Sequence, residues 1–347
     1  MHFIDILGLL LKISIVVGIT QGAVAYLILV ERKIAAWAQD RVGPNRAGPG
    51  GLLQPVADGV KMFLKEDVIP GYVSKPIYIL APMIAIVAAT IAFAVVPFGP
   101  VGSTGVDFFG TRDIQFQISP GIDVGILYIF AIGSLAVYGV ILAGWSSNNK
   151  YSFLGGLRSS AQLISYEIPL GMSILGMVLI CGSLDLNAIV NWQDQHVWGI
   201  VAQPIGFLLF LVSAFAETNR LPFDLPESEQ ELVGGFHTEY SAMKFGMFFL
   251  GEYIHVITVS FLVVLLFLGG WDFPGLDMYQ VGWPAALAKV LVLLMKVGGM
   301  IVFMMWIRWT LPRFRYDQLM DLAWKRMIPL ALINLVATAS ILQMIRG

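Results

Sequence analysis

The sequence predicts an all-α, polytopic integral membrane protein of about eight transmembrane helices, with both termini outside. Three observations carry that expectation. Of 347 residues, 57% are hydrophobic and only 13% are charged, whereas a soluble domain carries about 25% charged residues. The apolar residues gather into stretches near the roughly 20 residues that a helix needs to cross a hydrocarbon core of ~30 Å. The charges, finally, fall almost entirely into alternate loops.

Eight stretches qualify: residues 3–30, 77–98, 124–145, 161–182, 197–216, 245–269, 285–307 and 327–345. The first lacks a basic leader and a small-residue cleavage site and runs on to Val30, so it reads as a membrane helix rather than a cleaved signal. Its Gly18 and Gly22 have the spacing that suits close helix contact. The fourth and fifth carry Pro169 and Pro204, which membrane helices tolerate when neighbours satisfy the freed backbone groups. With no internal repeat or soluble segment visible, residues 1–347 read as one transmembrane domain.

Loop charges set the orientation. Loops 31–76, 146–160, 217–244 and 308–326 hold 16 Lys and Arg, and loops 98–123, 183–196 and 270–284 hold only Arg112. The first set is therefore expected on the cytoplasmic face. These loops mix both signs of charge with Gly, Pro and aromatic residues, which suits docking another protein better than touching anionic lipid. A net charge of −2 gives no reason to expect a nucleic-acid partner.

Several chemistries are excluded by count. Cys181 is the only cysteine, and an iron–sulfur cluster needs about four thiolates. No Gly-rich dinucleotide fingerprint and no phosphate-binding loop occurs. Among the four histidines only His255 falls at membrane depth, too few for a bis-histidine haem. Glu252 and His255 have the i, i+3 spacing of di-metal bundles, but those sites need two such motifs and two further Glu. The chain is thus expected to bind no redox cofactor or metal of its own.

What remains is a set of ionisable groups inside apolar spans, where each costs a few kcal/mol and is a functional candidate by default. Glu167, Glu217 and Glu252 fall at similar depth below one boundary, roughly 0–12 Å at about 1.5 Å per residue. Lys296 lies near the middle of the seventh span, and Lys12 and Lys289 nearer the opposite surface. For the isolated Lys12 and Lys289, snorkelling or a buried ion pair is the simpler reading. The loop after the fifth span crowds Glu217, Asp224, Glu227, Glu229 and Glu231 around Arg220, the single nearby cation in sequence. Carboxylates so close oppose one another's ionisation, and such groups can pass protons or sense a neighbouring charge.

The loop motifs closely resemble those of the H-type subunit family of complex I-like NADH:quinone oxidoreductases, known in mitochondria as NADH dehydrogenase subunit one. They are ERK at 31–33, QDRVGPNR at 39–46, ADGVK at 57–61, GWSSNNKY at 144–151, SYE at 165–167, ETNRLPFD at 217–224, EQEL at 229–232, GFHTEY at 235–240 and RYDQ at 315–318. The resemblance spans essentially the whole chain. It implies a membrane-arm subunit through which quinone reaches its chamber, with FMN and the iron–sulfur clusters in partner subunits and none bound here. The implied partners are other membrane-arm subunits, the quinone-site subunits of the hydrophilic arm, quinone and membrane lipid. The family's chamber residues correspond to Arg32, Asp58, Lys61, Arg220, Phe223, Asp224 and Arg308. Its proton-coupling route corresponds to Glu31, Glu167, Glu217, Glu227, Glu229, Glu231 and Glu252. Proton movement along these buried acids would have Lys296 as an onward partner, on the residues' own chemistry. The lack of an organellar signal favours a bacterial inner membrane.

Three rivals remain. The homologous component of a membrane-bound hydrogenase or deazaflavin-dependent dehydrogenase would share the spans, and the full set of quinone-loop motifs argues against it. A secondary transporter would often show inverted repeats and a midplane site at broken helices, whereas the acids here cluster toward one face. A mere anchor would have no reason to bury Glu167 and Glu252.

Overall fold

The computed structural model describes residues 3–99, 117–119, 121–225, 229–273 and 282–346. In chain order the helices are α1 (Phe3–Ala38), α2 (Gln54–Leu64), α3 (Lys75–Ile91), α4 (Gly125–Ser146), α5 (Lys150–Cys181), α6 (Leu186–Gln195) and α7 (Gly199–Ala202). They continue with α8 (Pro204–Glu217), α9 (Glu229–Leu232), α10 (Ala242–Phe267), α11 (Trp283–Thr310), α12 (Tyr316–Asp321) and α13 (Ile328–Arg346). A π-helical turn at Leu322–Met327 joins α12 to α13. No strand occurs among the described residues.

Seven helices among the described residues are long and apolar enough to cross a membrane. The remaining expected span, 197–216, is broken: α7 stops at Ala202, and α8 starts afresh at Pro204, which cannot donate the missing backbone bond. Side chains at membrane depth line the break. Gln203 donates through Nε2 to Thr338 Oγ1 at 2.8 Å and accepts from Asn334 Nδ2 at 3.0 Å. Polar groups in hydrocarbon need such partners. Residues 199–217 still cover about 28 Å at 1.5 Å per residue.

The charge-rich loops meet one another, which puts them at one end of the bundle. Glu239 of the third accepts from Tyr72 of the first at 2.8 Å and from Asn149 of the second at 2.6 Å. Arg158 of the second pairs with Glu231 of the third at 2.6 Å. The fourth folds back on the third through Phe314 N to Pro222 O at 3.1 Å and Arg313 to Asp224 at 3.0 Å. Beneath them Tyr78 and Tyr240 stack with ring centroids 4.1 Å apart. Close backbone approach needs glycine here: a Cβ on Gly155 would sit 2.7 Å from Gly235 Cα.

The opposite end has its own contacts. Trp198 donates to Asp272 at 2.8 Å, and Lys296 donates to the carbonyls of Leu268 and Asp272 at 2.7 and 2.5 Å. Helix α10 runs between the two ends as the bundle's core, with most of its residues buried.

Two expectations change. Gly18 and Gly22 have no atom of another described helix within 4 Å of where a Cβ would stand, so among the described residues no neighbouring helix uses their small size. Lys296 belongs to the far end. Its Leu268 partner lies about 24 Å along α10 from Glu252, too far for Lys296 to take a proton directly from the carboxylates.

Candidate functional site: two cavities joined by an arginine

The turn after α8 is what aims Arg220. Thr218 Oγ1 bonds back to Ala214 O at 3.1 Å, Asn219 takes a left-handed φ of 49°, and Phe223 N closes on Arg220 O at 2.8 Å. From α5, fully buried Gln162 donates through Nε2 to Ala216 O at 2.8 Å and Phe223 O at 2.9 Å. These carbonyls have left the helix ladder and need such partners when buried. The sequence thereby converts the end of a membrane helix into a rigid elbow.

The Arg220 guanidinium lies in the protein interior between two carboxylates. Its Nη1 contacts both oxygens of Glu31 at 3.1 Å, and its Nε is 2.8 Å from Glu252 Oε1. One face rests 4.1 Å from the centroid of the Tyr253 ring, a cation–π arrangement. Burial works against the Arg220 cation, but Glu252 and Glu31 outweigh it and raise its pKa. Glu31, itself 5% exposed, also accepts from Arg308 and from the Tyr253 hydroxyl at 2.5 Å. A buried charge is tolerable only when paired and hydrogen-bonded in this way.

On one side of this cluster a cleft of about 770 Å³ opens between α1, α10 and α11. Glu31, Arg32, Tyr253 and Arg308 supply its polar wall, and Ile28, Phe249 and Trp309 its apolar wall. A small recess shares Glu31, Tyr253 and Arg308 and reaches Arg220 and Met304. At the outer edge Arg32 pairs with Asp58 of α2 at 2.8 Å, and Gln54 holds the other oxygen of Asp58 at 3.0 Å. Lys61, in the last turn of α2, is exposed.

On the other side is a cavity of about 70 Å³ between α3, α4, α5, α8 and α10. It brings together Glu167, Glu217 and Glu252, with Ser134, Asn219 and His255, on walls of Ala, Val, Leu and Phe. The Ser134 hydroxyl faces the Glu167 carboxylate. Glu217 Oε2 is buried without a hydrogen-bond partner. The space is polar and roomy enough for water, which such groups ordinarily recruit.

The other candidates stand apart from both cavities. Phe223 is 3% exposed and packs between Tyr166 and Phe314, with centroids 5.4 and 5.3 Å away. Asp224 pairs with Arg313, and burial pushes its pKa up against the pull of Arg313 and Arg308. Glu231 is exposed and paired with Arg158. Glu227 and the side chain of Glu229 lie outside the described residues.

The expected crowd of acids around a single cation is therefore corrected. The described acids are spread out: Glu217 turns into the membrane cavity, and Asp224 and Glu231 each take an arginine from another loop. Sequence spacing cannot see this, because Arg313 and Arg158 are distant along the chain. Sequence reasoning also gave no role to Ser134, Tyr253 or Arg313, and treated His255 only as a metal or haem ligand. The i, i+3 spacing of Glu252 and His255 was the available signal that both face one cavity.

Comparison with known proteins bears directly on this arrangement. Residues 11–339 match the model of a family described as NADH dehydrogenase. The chain is 51% identical over 314 residues to the H-type subunit of the NADH-quinone oxidoreductase of Leptospira biflexa, covering 88% of this chain and 86% of the relative. The chain belongs to the H-type subunit family of NADH-quinone oxidoreductase. A member from Geobacter metallireducens is 47% identical, with 98% of each chain covered. Another, numbered 8 among the subunits of the Thermus thermophilus enzyme, is 48% identical over 94% of this chain and 84% of its own length. Membership of this family makes the chain one subunit of a membrane enzyme complex, with other subunits as its partners. The ERK and ETNRLPFD segments that carry the family resemblance supply Glu31 and Arg220 of the bridge, and α10 supplies Glu252.

Proposed function

We propose that this chain forms the quinone access path and part of the quinone chamber of a proton-pumping NADH:quinone oxidoreductase, and that it couples quinone reduction to proton translocation. One observation carries the reading: Arg220 touches Glu31, on the wall of the arginine-rimmed cleft, and Glu252, on the wall of the carboxylate cavity. A quinone needs apolar walls for its tail and a few polar groups for its carbonyls, and the cleft offers both. Reduction delivers two electrons and consumes two protons, converting two carbonyls to hydroxyls. Charge that develops on the head group beside Arg32 and Arg308 competes with Glu31 for the guanidinium groups. Any shift of Arg220 toward the cleft loosens its hold on Glu252, which then takes up a proton from the cavity.

The same reading assigns Arg32, Asp58, Lys61, Arg220, Phe223, Asp224 and Arg308 to the quinone side. Glu31, Glu167, Glu217, Glu227, Glu229, Glu231 and Glu252 fall to the proton side, with Glu31 shared through its arginines. The interlocked loops face the cytoplasm and receive the hydrophilic arm, whose subunits hold FMN and the iron–sulfur clusters. Both termini lie on the outer face of a bacterial inner membrane.

The test separates the two sides. In the assembled complex, Arg32→Ala raises the apparent KM for quinone several-fold and leaves the number of protons moved per quinone reduced unchanged. Glu252→Gln does the reverse, lowering the proton ratio with little change in KM. NADH oxidation by an artificial acceptor, which bypasses this subunit, is normal in both. A quinone KM unmoved by the first change, together with a normal proton ratio in the second, overturns the reading.

A further inference from the structure

We propose that His255 is a proton-relay residue of the carboxylate cavity, carrying protons between the Glu252 side and the Glu167 and Glu217 side. This deepens, and rests on, the reading of that cavity as a proton path.

The placement of His255 comes from the helix. Residues at i and i+3 share a face, so His255 lines the same cavity as Glu252, about 4.5 Å further along α10. The groups around it are known element by element. Helix α5 presents Glu167, α8 presents Glu217, α4 presents the Ser134 hydroxyl, and α3 presents only Ala85. The turn after α8 adds Thr218 and Asn219, and Arg220 stands behind Glu252. Among the residues lining this cavity, His255 is the single one able to become a cation. No hydrogen bond or ion pair engages its ring among the described residues. A histidine held for packing alone ordinarily satisfies its ring nitrogens when buried.

The chemistry follows from what its neighbours cannot do. Glu252 is tied to Arg220 at 2.8 Å, and protonating it forfeits that ion pair. Glu167 and Glu217 line the same cavity, which no arginine lines. A neutral imidazole has no counter-ion to lose. It accepts a proton at one ring nitrogen and releases one from the other, returning to neutral as the opposite tautomer. One N–H bond forms and one breaks, and no charge is left behind. His255 therefore bridges a pinned carboxylate and two that are free of arginine.

The test uses the whole complex in sealed vesicles, with His255→Gln, His255→Glu and the Glu167→Gln/Glu217→Gln double variant in parallel. Gln keeps polarity without titrating, so proton translocation falls by about an order of magnitude or more. The pH dependence of pumping flattens with it. Glu restores a titrating group, and most of the pumping returns. Normal rate and pH profile in His255→Gln overturn the relay role. If the double variant is inactive in that case, only the relay fails. If it too pumps normally, the cavity reading falls with it. Should His255→Gln not assemble, judged by subunit content and artificial-acceptor activity, His255→Asn replaces it. If neither assembles, the assembled His255→Glu variant decides: pumping retained supports the relay, and pumping lost overturns it.

Discussion

Two sets of carboxylates lie on either side of Arg220, and they are compensated in opposite ways. Glu31 receives two guanidinium groups and a phenol. Across the arginine, Glu167 meets a hydroxyl, and Glu217 leaves one buried oxygen without any partner. Fixed ion pairs hold shape and charge, so the first set suits a binding wall. Carboxylates without counter-ions in a space roomy enough for water suit groups that gain and lose protons. Glu252 belongs to both sets, which is why a change on one side has a route to the other.

The comparison breaks most visibly if the pinned side is not pinned. Arg220→Leu leaves Glu31 and Glu252 buried without their shared partner, and removal of one member of a buried pair costs about 3–5 kcal/mol. Thermal denaturation of the membrane arm then shifts sharply downward, or the subunit fails to assemble. Unchanged stability means the cluster adds nothing. Next in size is Gln162→Leu, which takes one hydrogen bond from each of the carbonyls of Ala216 and Phe223 at the elbow and leaves them the backbone donors Asn219 N and Leu225 N. A net hydrogen bond is worth about 0.5–1.5 kcal/mol, and wild-type melting of this variant removes Gln162 as the staple.

Smaller effects separate the loop end from the cavities. Burial pushes the His237 pKa down to about 4, against about 6.5 when unfolded. Below pH 6.5 the unfolded chain binds a proton that the folded loop refuses, so stability falls as pH drops from 6.5 toward 4 and changes no further below that. Measured against the intrinsic exchange rate at each pH, the protection of the amides of residues 235–240 is lower at pH 5 than at pH 7, and His237→Phe removes the difference. Identical protection at both values counts against the burial of His237. The smallest change is Glu231→Gln at the exposed pair with Arg158, within about 1 kcal/mol and diminished further by salt.

Much of this was legible from residue types and spacing, and the failures have physical causes. Spans 3–30 and 245–269 stood out because hydrocarbon thickness dictates length. The common depth of Glu167, Glu217 and Glu252 followed from counting helical rise. The break at Gln203 hid because Pro204 also suits a kinked continuous helix, and only Asn334 and Thr338 on a distant helix decide that the chain stops there. The partners of Glu31 hid for the same reason: Arg220 and Arg308 lie 189 and 277 residues away. Apolar spans reveal the bundle, but the pairing of buried charges depends on how the loops fold over it, and loop contacts have no period to read.

The central claim is that Glu167 and Glu217, which have no arginine partner, move protons, and that Glu252 joins them when Arg220 loosens its hold. The Glu167→Gln/Glu217→Gln double variant tests it most directly, because Gln preserves shape and removes only the titrating group. In the assembled complex, with artificial-acceptor NADH oxidation shown to be normal, proton translocation measured in sealed vesicles should be lost, along with much of the coupled quinone reduction. Translocation at the normal ratio and rate would contradict the claim and leave Glu167 and Glu217 as structural carboxylates.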